Sequence, residues 1–319
     1  MTVQPARATE PEFERMVAPL RAELHVHCYR MLGSVREADD AVRESLVRAR
    51  RDFAKLTDRS GLRLWIYRIA TNRCLTLLET RRRRELPVNL SPGAPLTDID
   101  WLEPYPDAEV CGMALDARYQ AREAVELAFV AALQYLPGLQ RAALVLRDVL
   151  GFSARETAEL LEISVAAADS ALRRGRAGVE SRLLERSKRA SHAEADDEIR
   201  DLARQYADAW EAGDVSAIVA LLSADATYSM PPLPEWYAGR SAIREFLLDG
   251  PLRCRRRFLL TSANGGPAFG TYLWDEERGV FAAMALDVVG VRDGRIADVV
   301  SFLDPELFRA FGLPAELFT

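Results

Sequence analysis

The segment 151–183, GFSARETAELLEISVAAADSALRRGRAGVESRL, constrains the fold of this chain more than any other stretch. Ser153 and the glutamate three residues after it form the pattern of a capping box, which predicts the start of a short helix. Ser164 is placed to cap a second helix, whose apolar residues recur every three or four positions. That second helix carries a cationic cluster of Arg173, Arg174 and Arg176. Such a pair is typical of a DNA-binding helix-turn-helix, and a helical hairpin with a solvated basic face is the alternative.

Composition limits where nucleic acid can bind. The 319 residues predict two or three domains, and the net charge of −6 means that any DNA-binding surface is local. The four cysteines form no C-x-x-C pair and there are only three histidines, so we predict reduced thiols, no metal centre and no cofactor. Neither a signal peptide nor an apolar run of about 20 residues is visible, and we expect a cytoplasmic protein with no membrane partner.

The N-terminal quarter of the chain is predicted to be helical and to end in a basic helix. Apolar periodicity indicates helices at about 12–32, 38–53 and 62–84. The last of these carries several arginines and ends in the run Arg81–Arg84. Trp65 and Tyr67 lie among these arginines, and rings mixed with cations are what unpaired bases and phosphates require. Both aromatic residues also fit a helix core, which the pattern alone favours.

Composition divides the rest of the chain into two linkers and two domains. The segment 87–113 is acidic and rich in proline, which predicts a linker. Residues 114–187 are predicted to be helical and to include the helix-turn-helix, and 188–196 form a second linker. From 197 to 319, helices precede strand-like segments separated by hairpin turns such as Asp293-Gly294, which predicts an α+β domain.

Several long strings of residues resemble one known family. CYRMLGSVREADDAV, LRLWIYRIATNRCL and LPGLQRAALVLRDVLGFSARETAELLEISVAAADSALRRGRA resemble an extracytoplasmic-function (ECF) sigma factor of the sigma-70 family. WLEPYPD, MPPLPEWYAGRSAI and FLDPELFRAFGLPAEL resemble the subgroup that carries a SnoaL-like C-terminal domain. The resemblance implies a multidomain fold of two all-α sigma domains, at 10–86 and 114–187, followed by a cone-shaped α+β domain at 197–319.

The resemblance also implies three contact surfaces. The helix 39–53 would dock on the clamp helices of the largest subunit of the RNA polymerase core, through Asp40, Arg43, Glu44 and Arg48. The next helix would recognise and melt the minus-10 element of promoter DNA, through Arg63, Arg68 and Asn72. The second helix of the helix-turn-helix would read the minus-35 element in the major groove, through Ser164, Asp169, Ser170, Arg173, Arg174 and Arg176. The acidic linker would run along the polymerase toward the RNA exit channel.

For the C-terminal domain the resemblance allows either catalysis or binding. Acid–base chemistry would need a carboxylate in an apolar pocket, for which the candidates are Asp287 and Asp298. Ser301 is a further candidate for a catalytic residue. Strand alternation places Asp287 on one side with Ala285 and Val289, and Asp298 on one side with Ile296 and Val300. The predicted lining of a small-molecule pocket consists of Tyr228, Trp236, Tyr237 and Asp287.

Two functions follow from these observations. We favour a sigma factor whose C-terminal domain modulates it, by autoregulation or by a bound small molecule. The alternative is a SnoaL-like enzyme of the cyclase, isomerase or hydrolase type, attached to a degenerate sigma half. Three departures from the family pattern motivate the alternative. Arg43 and Arg50 stand where the polymerase-facing helix usually has Gln and Trp, and Asp169 stands where a neutral or basic residue is usual.

Overall fold

The computed structural model describes residues 10–56, 58–80, 83–86, 100–109, 126–187 and 196–318, with side chains left out at 109, 182–187 and 196. The chain divides into two compact units: 1–83 with 109–185, and 84–108 with 186–319. The predicted helix at 114–125, the linker centre at 87–99 and the pair Arg81-Arg82 lie outside the described residues. No described helix is long and apolar enough to cross a membrane, and no described cluster of His, Cys, Asp and Glu can hold a metal ion.

The first unit begins with four helices. They are α1 (Glu10–Val17), α2 (Arg21–Leu32), α3 (Val35–Asp52) and α4 (Leu62–Glu79). The predicted helix at 12–32 is divided by a 3-10 turn at Ala18–Leu20, because the proline in this turn lacks the N–H that a continuous helix needs. Gly33 ends α2 in the left-handed conformation (φ 70°), and Ser34 caps α3 by accepting the Glu37 N–H at 3.2 Å.

Four further helices complete the first unit. They are α5 (Leu127–Gln134), α6 (Gly138–Leu144), α7 (Ala154–Leu160) and α8 (Val165–Ser187). A π-helical turn at Val145–Val149 extends α6. The predicted capping box at Ser153 is present, with its side chain accepting the Glu156 N–H at 3.2 Å. Glu162 makes the turn between α7 and α8 with a left-handed backbone (φ 56°).

The two groups of helices pack against each other around α2. Helix α2 contacts α5 and α6, while α4 contacts α6 and α7. Arg141 on α6 is buried in this interface, where it donates to the main-chain carbonyl of Met31 and, at 2.8 Å, to the side-chain oxygen of Gln134. Its second terminal nitrogen donates to the carbonyls of Gln134 and Leu136 at 2.9 and 3.2 Å. Burial lowers the pKa of Arg141 to about 10, so it stays charged at neutral pH.

The second unit contains a curved sheet with three of its described helices on the concave face and a fourth on the opposite face. Its main strands are β3 (Leu222–Ser229), β4 (Trp236–Ala238), β5 (Arg256–Ala263), β6 (Gly266–Asp275), β7 (Val280–Arg292) and β8 (Arg295–Phe302), ordered β4-β3-β8-β7-β6-β5. Strand β9 (Glu316–Leu317) pairs with β7. The helices are α9 (Asp196–Glu211), α10 (Val215–Leu221), α11 (Gly239–Asp249) and α12 (Leu307–Ala310). Asp293 and Gly294 both have positive φ (51° and 65°), which forms the predicted hairpin turn between β7 and β8.

Aromatic side chains fill the concave side of this sheet. Tyr206 and Trp210 of α9 face Tyr228, Phe269 and Val299 from three strands, and all are buried in one cluster. The rings of Tyr206 and Phe269 lie 6.2 Å apart, and those of Trp210 and Phe258 lie 5.7 Å apart. The apolar alternation in β7 and β8 therefore marks the inner, buried face of the sheet.

The predicted side of Asp298 is right with respect to Val300 and wrong with respect to Ile296. The β7–β8 register shifts between Gly290 and Val291, so Gly290 pairs with Asp298 while Val291 pairs with Ile296. This bulge places one extra residue in β8 and reverses the alternation, so Asp298 no longer shares a face with Ile296. The Asp298 carboxylate lies over Gly290, on the face opposite to Val299. Asp298 is therefore not a partner of Asp287 in a single site.

Candidate nucleic-acid interface

The predicted minus-35 residues lie on the outer side of α8. Asp169, Arg173 and Arg174 are exposed, while Ala168 and Leu172 pack inward. Arg174 donates to the hydroxyl of Ser170 at 2.7 Å, which fixes the arginine one turn along the helix. Ser164 caps the helix by accepting the Ala167 N–H at 3.2 Å and is exposed itself. The helix thus presents hydrogen-bonding side chains along the face that a major groove would meet.

Arg176 differs from the other arginines of α8 because a carboxylate already binds it. Its Nε and Nη2 donate to Asp148 at 2.8 and 2.7 Å, and this hydrogen-bonded pair raises the pKa of Arg176. Asp148 lies in the π-helical turn, which the sequence pattern did not predict. The pair borders a groove of about 520 Å³ that Arg147, Arg173 and Glu180 also line. Arg176 is therefore held at the edge of the recognition surface.

The predicted minus-10 residues lie on α4, and Arg63 has an unexpected environment. Arg68 and Asn72 are half-buried, as expected of residues on the side of a packed helix. Arg63 lies over two rings, with its guanidinium carbon 4.5 Å from the ring centre of Phe152 and 5.1 Å from that of Tyr67. Tyr67 is fully buried, which agrees with its interpretation as a core residue. No sequence pattern predicted that the helix-turn-helix would reach Arg63.

The turn before α4 is ordered by its own hydrogen bonds. Asp58 accepts the main-chain N–H of Ser60 at 2.9 Å and its hydroxyl at 2.7 Å. These bonds lower the pKa of the Asp58 carboxyl and keep it negative. Arg59 lies over the ring of Phe53, with its guanidinium carbon 4.0 Å from the ring centre. A 3-10 turn, Arg59–Gly61, therefore leads directly into α4.

The predicted polymerase-facing residues lie along the solvent side of α3. Asp40 and Arg43 form an ion pair with each other. Glu44 forms an ion pair with Arg73 on α4, in which Nη2 of Arg73 donates to the carboxylate at 3.2 Å. Arg48 is exposed, and the neighbouring Val47 is 58% exposed. A single exposed aliphatic residue is ordinary on a protein surface, so the charged groups are what distinguish this face.

Part of the predicted linker folds with the second unit. A short parallel pair joins β1 (Arg84–Glu85) to β2 (Asp100–Trp101). Beyond it, Leu102 and Tyr105 are buried. Tyr105 and Asn264 exchange two hydrogen bonds: the Tyr105 N–H donates to Asn264 Oδ1 at 2.8 Å, and the Asn264 N–H donates to the Tyr105 carbonyl at 2.9 Å. Residues 100–108 therefore do not form the extended linker that their composition predicted.

Two further contacts hold residues 105–107 against the β5–β6 turn. Asp107 accepts the Gly265 N–H at 2.8 Å, and Pro106 pairs with Ala263 at the end of β5. Asn264 and Gly265 form the β5–β6 turn and both have positive φ (54° and 80°), which suits these two residue types. The turn thus presents its polar groups to the segment 105–107, here called the strap.

The buried carboxylate of Asp287 lies on the concave face of the sheet. It is 2% exposed and accepts from the hydroxyl of Thr271 at 2.8 Å. Among the described residues, its other oxygen, Oδ1, has no hydrogen-bond partner. Burial raises the pKa of Asp287, while hydrogen bonds from Ser301 and Thr271 and the charge of Arg256 oppose that rise. Asp287 and Ser301, which pair across β7 and β8, are thus close together as predicted candidates.

Two of the three predicted pocket aromatics belong to the same face as Asp287. Tyr228 is buried, and burial together with the charge of Asp287 raises its pKa. Tyr237 pairs with Tyr228 across the strands and stacks on Phe246, with ring centres 4.3 Å apart. Trp236 pairs with Ser229 instead, so strand alternation directs it to the opposite face. The prediction that Trp236 lines the same pocket is therefore wrong.

Comparison with known proteins identifies each part of the chain. Residues 16–84 match the model for Sigma-70 region 2, residues 126–177 match Sigma-70 region 4, and residues 203–299 match the SnoaL-like domain. The ECF RNA polymerase sigma factor SigG of Mycobacterium tuberculosis (strain ATCC 25618 / H37Rv) is 38% identical over 98% of this chain and 87% of its own length. The ECF RNA polymerase sigma factor SigW of Bacillus subtilis (strain 168) is 26% identical over 56% of this chain and 93% of its own.

A solved structure has the same fold over nearly the whole chain. The crystal structure of the Mycobacterium tuberculosis extracytoplasmic function sigma factor SigJ matches with a TM-score of 0.63 at 24% identity, over 96% of this chain and all of that one. The fold and the helix-turn-helix thus define a transcription initiation factor of the sigma type with an added SnoaL-like domain. The chain belongs to the ECF group of the sigma-70 family, and it acts as an alternative sigma factor that recognises promoters with the RNA polymerase core.

Replacing Asp287 by asparagine (D287N) is expected to stabilise the second unit at neutral pH. Because folding raises the pKa of Asp287, folding favours the protonated form, and stability is lost as pH rises from the unfolded value of about 4 through the folded value. The neutral asparagine removes this loss. Thermal unfolding of the full chain between pH 4 and pH 8, followed by tryptophan fluorescence, measures it. The gain in stability of D287N should shrink toward pH 4. The exposed control D249N should show no gain. A gain in D287N that does not depend on pH would contradict the explanation.

Proposed function

We propose that the SnoaL-like domain restrains this sigma factor by holding the segment between region 2 and region 4. The observation that carries the proposal is the strap, which exchanges hydrogen bonds with Asn264 and Gly265. The described residues on either side of 87–99, which are 84–86 and 100–108, belong to the second unit. A segment bound in this way is not free to follow another path.

The polymerase path of the linker competes with the strap. In the sigma-factor model, this acidic segment runs along the polymerase surface toward the RNA exit channel, where its negative charge suits a path built for nucleic acid. Tyr105 and Pro106 are buried in the second unit, so the same residues cannot lie on the polymerase at the same time. Holoenzyme formation with an engaged linker therefore requires release of the strap. Each hydrogen bond contributes about 1 kcal/mol, so the strap is held firmly enough to shift this balance and weakly enough to be released.

The three contact surfaces are proposed as the sequence assigned them. Helix α3 docks on the clamp helices of the largest polymerase subunit through its exposed charges and Val47. Arg63, Arg68 and Asn72 on α4 contact the minus-10 element, and α8 reads the minus-35 element. The two DNA contacts reinforce each other because they are linked in one chain. Since the polymerase core works in the cytoplasm, the protein is proposed to work there too.

Releasing the strap is expected to increase promoter-directed transcription when core polymerase is limiting. Asn264→Gly removes the Oδ1 acceptor and keeps the left-handed turn, and Tyr105→Ala removes the buried ring. Run-off transcription with purified core polymerase should give about 5-fold more transcript with the double variant than with the unmodified chain, which corresponds to about 1 kcal/mol of restraint. Ser241→Ala, at an exposed position in α11, is the matched control. Equal transcript from all three proteins would contradict the restraint, and no transcript from any would contradict the sigma activity itself.

Replacing Arg174 by alanine (R174A) is expected to weaken binding to minus-35 duplex DNA. The side chain is exposed, positioned by Ser170 and placed to reach a base edge, which corresponds to about 1–3 kcal/mol, or about 5- to 150-fold in affinity. Fluorescence anisotropy with a labelled promoter duplex measures the loss, and S170A should give a smaller one. Arg200→Ala, an exposed arginine on α9, should bind as the unmodified chain does. Equal losses in R174A and R200A would show that only general charge matters.

A second candidate function is the binding of a small apolar molecule with one hydroxyl group. The observation that favours it is the buried Oδ1 of Asp287, which has no donor among the described residues and is surrounded by aromatic rings. A ligand hydroxyl would satisfy this acceptor, and Tyr228 would lie beside it. Acid–base catalysis would use the same carboxylate, but family membership favours a transcription factor that is not an enzyme.

Fluorine NMR with 4-fluorophenol tests this second function. The compound combines an aromatic ring with a single O–H donor, and a saturable change in its signal is expected with the full chain. Asp287→Ala should reduce the affinity about 10-fold, since a hydrogen bond to a charged group contributes about 1.5–3 kcal/mol. Unchanged binding by D287A would place the compound elsewhere and remove the support for this function.

A further inference from the structure

Phe152 connects the helix-turn-helix to the helix that is proposed to bind the minus-10 element. It lies directly before the capping residue Ser153 and is 5% exposed. Its N–H donates to the Leu146 carbonyl at 2.9 Å, and its own carbonyl accepts from Arg147 at 3.2 Å. The main chain therefore fixes the ring of Phe152 with respect to region 4.

The ring of Phe152 is directed at region 2. Its centre is 4.5 Å from the guanidinium carbon of Arg63 and 5.3 Å from the ring centre of Tyr67, and the two rings meet edge to face at 68°. Arg63 is also 3.6 Å from the carboxylate of Glu23 and remains 41% exposed. One flat face of the guanidinium is thus occupied by a ring while its edges still reach solvent.

A planar guanidinium stacks on any aromatic face, and an unpaired DNA base presents such a face. We infer that Phe152 occupies the position of an unpaired promoter base on Arg63, so that region 4 masks the base-stacking surface of region 2 in the free chain. This inference rests on the proposed role of Arg63 at the minus-10 element. The partner that Phe152 excludes is a single DNA strand, whose phosphates still reach the exposed edge of Arg63.

A second contact of the same kind supports the masking. The guanidinium carbon of Arg83, beyond the end of α4, lies 4.0 Å from the ring centre of Tyr135, which follows α5. Two arginines of region 2 are therefore covered by two aromatic residues of region 4. Since both rings come from region 4, separation of the regions uncovers both arginines together.

The interface that holds the mask in place is polar at its centre. Gln134 donates to the Arg30 carbonyl at 3.4 Å and accepts from Arg141 at 2.8 Å, and Arg141 donates to the Met31 carbonyl. When the regions separate, water can replace each of these polar partners, so opening leaves none of these groups buried without a hydrogen bond. The masked state is therefore suited to a reversible equilibrium with an open one.

Binding of a single-stranded oligonucleotide by the full chain tests the inference. The probe is a fluorescein-labelled oligothymidylate of about 12 nucleotides, because stacking on an open surface depends little on sequence. Phe152→Ala is expected to raise the affinity at least about 5-fold, the lower end of ordinary coupling between two sites. Phe152→Leu keeps the apolar bulk, loses the flat face, and should show a gain as well. Arg63→Ala added to either variant should cancel the gain.

A further variant opens the interface without altering the mask. Gln134→Ala removes the bonds to Arg30 and Arg141, and it should raise oligonucleotide affinity in the same direction. Phe318→Ala, at a position 80% exposed in the second unit, is the matched control and should bind as the unmodified chain does. Circular dichroism establishes whether each variant is folded. If F152A is misfolded, F152L and Q134A test the inference instead. Unchanged affinity in the folded variants overturns the inference.

Run-off transcription with R63A separates this inference from the role on which it rests. If R63A retains full transcription with core polymerase, Arg63 has no role at the minus-10 element and both ideas fail. If R63A loses transcription while F152L and Q134A bind the oligonucleotide no better than the unmodified chain, the promoter role stands and only the masking is wrong.

Discussion

The buried guanidinium of Arg141 holds the first unit together. It makes four hydrogen bonds. One goes to the Met31 carbonyl of region 2, and three go to region 4: to the side-chain amide oxygen of Gln134 and to the main-chain carbonyls of Gln134 and Leu136. A buried charge without such partners would cost several kcal/mol, so Arg141 favours the arrangement in which all of these acceptors converge. Everything else that region 2 and region 4 share, including the ring of Phe152 over Arg63, depends on that arrangement.

The strap ties the chain between region 2 and region 4 to the second unit. The chain leaves the first unit at Arg83, returns at Glu109 and leaves again at Glu185, so the strap lies between two passages. The strap lies in the chain between region 2 and region 4, so its proposed release would lengthen the connection between them. The proposed opening of the first unit would be coupled to that release through the chain.

The sequence predicted the elements well because their signals are local. The capping box at Ser153, the hairpin turn at Asp293-Gly294 and the apolar face of β7 each depend on residues a few positions apart. Asp298 was wrongly placed on one face with Ile296 because a bulge adds one residue without any change in the apolar pattern. Trp236 was wrongly placed because strand alternation was not applied to it. The contact of Tyr105 with Asn264 joins residues 159 positions apart, and neither residue type predicts a contact with the other. The same is true of Phe152 and Arg63.

The departures from the family pattern carry different weight once they are placed in the structure. Arg43 and Arg50 are exposed on α3 and pair with Asp40 and Glu10, so they alter the surface and leave the helix intact. Asp169 is exposed beside Arg173, where it can accept from a cytosine amino group in the major groove. None of the three disturbs a buried contact. A degenerate sigma half would be expected to lose its polar core first, since nothing selects for an internal arginine in a domain that no longer works, yet Arg141 and Gln134 keep complementary partners. The intact interface favours a sigma factor with altered surface contacts over an enzyme that carries an inactive remnant.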